Sequence, residues 1–295
     1  MTSNDIIHAA WKGHFVVPAF NIPYLPMMAP VVAALRDAKT FGFIAVARLE
    51  WEKFESRSPE AVREEYERVK DSAFTRLHLD HVPVIDEDNL RVDYAEILGR
   101  SIRLGFDSVM VDGSRLALAE NIAATREIAD MAHAAGIAVE AELGAVMGHE
   151  AGPLPPYEEI FASGKGFTDP EELAEFVKGS GADWMSVAVG SIHGAISAAA
   201  IGKEKPKARI DLTHLARLQE RVPMPFVLHG GTGIPKEYIL GGIQRGIAKI
   251  NIGHAIRTAH QNALKNGDPF QAVYDETLRV LRDDLDCVGT AVNIS

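Results

Sequence analysis

The sequence holds a single cysteine, Cys287, among 295 residues, and that scarcity removes two classes of protein. A lone thiol closes no intramolecular disulfide and builds no multi-cysteine metal site. It stands in Asp286-Cys287-Val288, away from any nucleophile motif, and reads as a packed or surface thiol. Basic charge is also short. Thirty Lys and Arg against 41 Asp and Glu leave a net charge of −11, which argues against nonspecific nucleic-acid binding. A local pocket for an anionic substrate stays compatible with that balance. Long apolar runs are missing too: the stretch 185–201 is broken by Gly190 and Gly194 and carries His193. It reads as strand plus loop, not as a membrane span. The opening MTSNDIIHAAWKGHF lacks the basic start and apolar core of a secretory leader, so the expectation is a cytoplasmic protein with no membrane partner. No linker or low-complexity segment interrupts the chain, and no Gly-x-Gly-x-x-Gly follows the first strand, which disfavours a dinucleotide fold.

What is present is alternation. Short apolar runs at 15–21, 43–48, 74–80, 108–112, 137–143, 183–189, 226–229 and 249–252 read as strands. Longer helical patterns separate them, at 27–39, 59–72, 94–103, 116–135, 170–178, 212–221 and 236–245. Strands covered on both faces and separated by helices predict an α/β fold, a closed parallel (β/α)8 TIM barrel in one domain over 1–295. An open doubly wound sheet is the competitor. Gly42, Gly136 and Gly246 stand where a left-handed helix exit is expected. The segment 144–166, rich in Gly and Pro, is a long excursion of the kind that carries function.

Polar residues collect at the C-terminal ends of the strands: Asn21, Arg48, Asp80, His81, Asp112, Glu140, Glu142, His229 and Asn251, with His193 just beyond the sixth. In a (β/α)8 barrel those ends form one mouth, where active sites are built. His81, His193 and His229 lie 112 and 36 residues apart, too far for a local finger, yet three strands can bring them to one divalent ion. Three protein ligands and an open position are the pattern of catalytic zinc. Asp80 beside His81 is a candidate orienter or general acid/base, sharing strand parity with His78. Glu140 and Glu142 also share parity, fitting either a hydrogen-bonded network or a second cation site. Glu150, in the excursion, is a candidate mobile base or a solvated loop acid. The segments His229-Gly230-Gly231-Thr232-Gly233 and Lys249-Ile250-Asn251-Ile252-Gly253 follow the last two strands, where barrels bind phosphate through accessible backbone N–H groups.

Together these segments resemble the class II, metal-dependent ketose-bisphosphate aldolases of the fructose- and tagatose-bisphosphate type. The likeness runs from Val17-Pro18-Ala19-Phe20-Asn21 through His78-Leu79-Asp80-His81, Ser108–Asp112 with Gly113-Ser114, Val139-Glu140-Ala141-Glu142-Leu143-Gly144 and Thr168-Asp169-Pro170 to His193-Gly194, the His229 segment and Lys249-Ile250-Asn251. The resemblance implies a divergent aldehyde-lyase acting through a zinc-stabilised enediolate. His81, His193 and His229 would hold the Zn2+, or another divalent ion, with a monovalent cation as a further candidate. Asp80 would carry the proton at the C4 hydroxyl, Glu150 the proton on the donor carbon, and Asn251 would contact substrate. Asp112 and Glu142 match positions of an additional or displaced metal. Asn21, Gly194, Gly230, Gly231, Thr232 and His254 fall on the substrate and phosphate side. Lys249 competes for a Schiff-base role but reads as a polar lining residue beside a histidine set.

The departures touch the substrate. Val82-Pro83 follows His81 where the family places a small residue, Pro23-Tyr24 replaces a polar pair, and Ser197 stands at the family's phosphate lysine. His254-Ala255 replaces a Thr and an acidic residue. Arg48 is therefore a candidate replacement anion contact, against the plainer reading of an outward arginine paired with Glu50 or Glu52. The expected substrate is a ketose phosphate or related sugar acid, and the expected assembly a homodimer or homotetramer. A retro-aldol sugar epimerase and a non-catalytic aldolase-like subunit are the alternatives.

Overall fold

A computed structural model describes residues 1–144, 156–192 and 208–294. Eight strands close into a barrel in sequence order, each pair parallel. They are β1 (Val17–Asn21), β2 (Gly42–Ala47), β3 (Thr75–Pro83), β4 (Ser108–Asp112), β5 (Ala138–Leu143), β6 (Trp184–Val187), β7 (Phe226–Leu228) and β8 (Ile247–Ile252). β1, β2, β5 and β8 are buried along their whole length, as continuous apolar runs require once helices cover the outside. The expected TIM barrel is present, and the open sheet is excluded.

Helices α1 (Ser3–Gly13), α2 (Met28–Asp37), α3 (Arg48–Lys53), α4 (Pro59–Val69), α5 (Tyr94–Arg103), α6 (Leu118–Ala134), α7 (Tyr157–Ser163), α8 (Pro170–Ser180), α9 (Leu212–Arg221), α10 (Lys236–Ile243), α11 (His254–Asn266) and α12 (Pro269–Arg279) complete the described structure. None of them is long and apolar enough to cross a membrane. Most of the outer helices pack on the barrel through one apolar cluster that includes Val31, Leu35, Leu98, Ile128, Phe176 and Leu215.

A second cluster fills the N-terminal half of the barrel interior. Phe43 and Trp184, with ring centroids 5.8 Å apart, pack there with Ile6, Ile7 and Ala10 of α1. Helix α1 thus plugs the bottom. It is fixed by a capping box between Thr2 and Asp5, and Asn4 accepts the Trp184 indole N–H at 2.9 Å. Above this apolar plug the interior turns polar, beginning with His78, which packs on Phe43 and Trp184.

Local details differ from the sequence reading. β2 ends at Ala47, and Arg48 opens α3, which has Glu50 as its third residue and capping carboxylate. Gly136 and Gly246 take the expected left-handed backbone, with φ of 72° and 103°. Gly42 does not: it begins β2, where an added Cβ would meet the Leu35 side chain and the Pro18 carbonyl. Its requirement is close approach, while Lys39, at φ 50°, takes the left-handed turn after α2. Cys287 is buried and hydrogen-bonds the Leu281 carbonyl at 3.6 Å; burial pushes its thiol up to about 12, so it is inert.

Candidate metal centre and proton-transfer site

The site begins with an irregularity in β3. Leu79 pairs with Val109, but the next pair is Val82 with Val111, so β3 carries one extra residue between them. That residue count is a bulge, and it spans Asp80 and His81. In a regular strand two consecutive side chains face opposite sides. The bulge lets both belong to the mouth, where Asp80, His81 and His229 offer atoms within 4.8 Å of one another. The rings of His81 and His229 are 4.4 Å apart.

Carboxylates surround these imidazoles. His81 Nδ1 lies 3.1 Å from Asp112 Oδ2 and 3.9 Å from Glu142 Oε2. His229 Nδ1 lies 3.1 Å from the same Glu142 oxygen, and its Nε2 lies 2.9 Å from Glu140 Oε1. Glu140 and Glu142 thus share parity, as expected, and hold His229 between them, one at each ring nitrogen. Glu142 joins His81 and Asp112 in a second group of convergent atoms. Glu140 faces down to Lys249, whose Nζ sits 2.8 Å from Glu140 Oε2 and donates to Asn251 Oδ1 at 2.7 Å. Lys249 is fully buried between them.

Asp80 is held from two sides. Asn21 Nδ2 donates to one carboxylate oxygen at 2.8 Å and Asn251 Nδ2 to the other at 2.9 Å. Burial pushes this carboxyl up, but His81, Lys249 and His229 together outweigh burial and hold it well below the usual carboxylate range. Asp80 is therefore biased toward its ionised form and fixed in orientation. Below it, His78 meets Ser108 Oγ through Nδ1 at 2.9 Å, while its Nε2 has no hydrogen-bond partner among the described residues. Burial drives His78 down to about 3, so its ring is neutral.

Two imidazoles on adjoining ring edges, enclosed by four buried or half-buried carboxylates, form a donor set suited to a divalent cation. The sequence matches the family model for class-II fructose-bisphosphate aldolase over residues 1–286. The chain belongs to that family. A fructose-bisphosphate aldolase from Geobacillus stearothermophilus is 29% identical over 267 residues, covering 90% of this chain and 84% of that one. The solved YdjI aldolase from Escherichia coli K12 superposes with a TM-score of 0.75 at 25% identity, with 99% of both chains covered. The Campylobacter jejuni fructose-bisphosphate aldolase, at 20% identity and a TM-score of 0.72, shares the fold over 97% of this chain and 96% of its own. The family is one of metal-dependent aldolases, lyases that make and break a carbon–carbon bond, and its substrates are sugar phosphates.

Within this aldolase, most of the expected site residues are in one place. Asn21, Asp80, His81, Asp112, Glu140, Glu142, His229 and Asn251 form a connected polar block. Gly230, at φ 67°, and Gly231 and Thr232 follow β7, while His254 opens α11 after β8 and meets Arg257 at 3.3 Å. Glu150, His193, Gly194 and Ser197 lie outside the described residues. Arg48 pairs with Glu52, as in its plainer reading, and also with Asp86, both at 3.8 Å. It nevertheless lines a cleft together with His81 and Asp112.

Two features escaped sequence reasoning. Lys249 ties the histidine side of the site, through Glu140, to the aspartate side, through Asn251. Its position in a buried strand two residues from Asn251 was the available signal. Glu50 was taken only as a surface partner for Arg48, yet it is buried, accepts the Ala47 N–H at 2.8 Å and sits near Asn21, Asp80 and Arg257.

Proposed function

We propose that this aldolase holds a zinc ion on His81, His193 and His229 and cleaves a ketose phosphate or related sugar acid between C3 and C4. When bound, the ion supplies Lewis-acid stabilisation of the negative charge that develops on the donor fragment's oxygens. The chain's own part begins at Asp80. Its carboxylate accepts the proton of the C4 hydroxyl as the carbon–carbon bond breaks and an aldehyde leaves. The two asparagines fix the carboxylate, so little reorganisation accompanies the transfer.

Glu150 returns a proton to the donor carbon, and Asn251 also contacts substrate. Asn21, Gly230, Gly231, Thr232 and His254 serve substrate and phosphate binding, as does Gly194, which lies outside the described residues; backbone N–H groups beside the glycines suit a phosphate. Asp112 and Glu142, with His81, offer a second position for the same ion or another cation. Lys249 is spent on Glu140 and Asn251, which leaves no role for a Schiff base. The working unit is a cytoplasmic homodimer or homotetramer.

The observation that carries this reading is the Asp80 carboxylate, gripped by two amides beside two imidazoles packed edge to face. The test is a panel of ketose phosphates and aldonates assayed with and without chelator, with carbonyl products trapped. Two fragments, lost on chelation, support a lyase; one isomeric product identifies an epimerase and ends this reading. Asp80→Asn should keep the metal and lose turnover, whereas His229→Ala should lose the metal.

A further inference from the structure

One buried carboxyl at the mouth has no part in the chemistry described so far. Glu50, the third residue of α3, is 9% exposed, and α3 packs on the ends of β2 and β3. Its Oε2 accepts the Ala47 N–H at 2.8 Å, which caps the helix. Capping needs only one oxygen and no burial. Here the side chain is turned inward, beside Asn21 and Asp80. We propose that Glu50 is a positioning residue for Asp80, acting through the Asn21 side chain that both carboxyl groups share. The inference rests on the aldolase reading, in which Asp80 receives the proton of the C4 hydroxyl.

Asn21 is the link. It ends β1, and its Nδ2 donates to Asp80 Oδ2 at 2.8 Å. An amide nitrogen carries two N–H bonds. One goes to Asp80, and the same side chain acts as a hydrogen-bond donor toward Glu50. Glu50 thereby fixes the rotation of the amide about its last torsion, whose own preference is broad. The other side of Asp80 is built the same way. Asn251 donates to its second oxygen at 2.9 Å, and Lys249 holds Asn251 at 2.7 Å. Each of the two asparagines that grip Asp80 thus has an anchor of its own, Lys249 for one and Glu50 for the other.

The surroundings suit that task. Asp80 faces Glu50 from β3, Arg257 from α11 and Asn21 from β1, with the Ala47 N–H at the end of β2. On its own helix, Arg48 stands between Glu52 and Asp86. Burial, and after it Asp80, pushes the Glu50 carboxyl up to about 8, so it is neutral at pH 7. A neutral carboxyl accepts from the amide without competing on equal terms, because the bond to an ionised acceptor is the stronger. The charged partner, Asp80, therefore keeps its N–H, and Glu50 supplies direction alone.

The test uses the metal-loaded full chain with fructose bisphosphate as the probe. Glu50→Met fills the space without an acceptor; it should lower kcat about 10- to 100-fold while KM stays within about twofold. Metal affinity, read by chelator competition, should hold. Glu50→Gln keeps an acceptor oxygen and no charge, and should bring kcat back to within about threefold of the parent. Should the Met variant not fold, Glu50→Asp, shorter by one methylene, should show the same loss. Asn21→Ala should lose as much as Glu50→Met, and the double variant no more than either, because both act on one bond. Losses that add across the pair leave Glu50 a helix cap alone and overturn the inference, as does an unchanged kcat in Glu50→Met. A second arm is independent of turnover and separates failure of this inference from failure of the aldolase reading. In protein made with isotope-labelled asparagine, the side-chain amide resonances that vanish in Asn21→Ala belong to Asn21. They should shift in Glu50→Met and return toward the parent positions in Glu50→Gln. Resonances unmoved in Glu50→Met overturn the proposal even where the probe is not cleaved.

Discussion

Replacing Glu50 with Gln should stabilise the protein, and more so as pH rises. Glu50 is buried beside the mouth, and burial is the main force pushing its carboxyl from the ordinary 4.5 up to about 8; Asp80 adds to it. The Ala47 N–H, Arg257 and Asn21 act in the opposite direction and do not prevail. An acid whose folded pKa exceeds its unfolded value withdraws stability as pH climbs between the two. The loss begins near pH 4.5 and levels off above about pH 8, where it amounts to about 5 kcal/mol. Gln keeps an oxygen for the Ala47 N–H and carries no charge. Its advantage should therefore grow by about 3 kcal/mol between pH 6 and pH 9. For a chain of this size that is roughly 5 °C in Tm. Urea-unfolding midpoints at the two pH values provide the measurement. A Glu50→Gln advantage equal at pH 6 and pH 9 would refute the assignment of a buried, neutral carboxyl.

Other perturbations test the network more directly. Lys249→Met removes the cation from Glu140 and the donor from Asn251; affinity for the divalent metal, measured by competition with a chromophoric chelator, should fall about 10- to 100-fold. Unchanged affinity would show that Glu140 does not orient His229. Borohydride added during turnover should leave wild-type Lys249 unmodified, as mass spectrometry of the peptide would report. Gly113→Ala drives a methyl into the Asn121 amide, which donates to the Glu142 carbonyl at 3.0 Å; the cost should be about 1–3 kcal/mol in urea unfolding. Trp184→Ala empties the apolar half of the barrel and should cost about 3–5 kcal/mol, again by urea.

The barrel was legible because its strands are covered twice over, which writes them as apolar runs with polar residues only at one end. His229, Asp112 and Asn251 could be placed at the mouth from that bias alone. Asp80 and His81 were legible only as a pair of polar residues, since strand periodicity assigns neighbours to opposite faces. Their joint presence depends on the extra residue in β3, a register event that no local propensity encodes. Glu50 was hidden for another reason. A short charged helix, Arg48-Leu49-Glu50-Trp51-Glu52-Lys53, looks like solvated surface, and only its packing against the ends of β2 and β3 buries the third residue.

The polar block also explains why the site tolerates its own charge. Four carboxylates, Asp80, Asp112, Glu140 and Glu142, lie near one another inside a protein of net charge −11. Left alone, such a set would neutralise itself by taking up protons. Glu140 instead stays ionised, held down to about 2 against burial by Lys249 and the neighbouring imidazoles. Asp80 stays ionised through the same lysine and His81. Only Glu142, pushed up by burial and by Asp112, is biased toward its neutral form. One buried lysine therefore serves two carboxylates, Glu140 directly and Asp80 through Asn251. The apolar half beneath, closed by α1, keeps water from screening that charge.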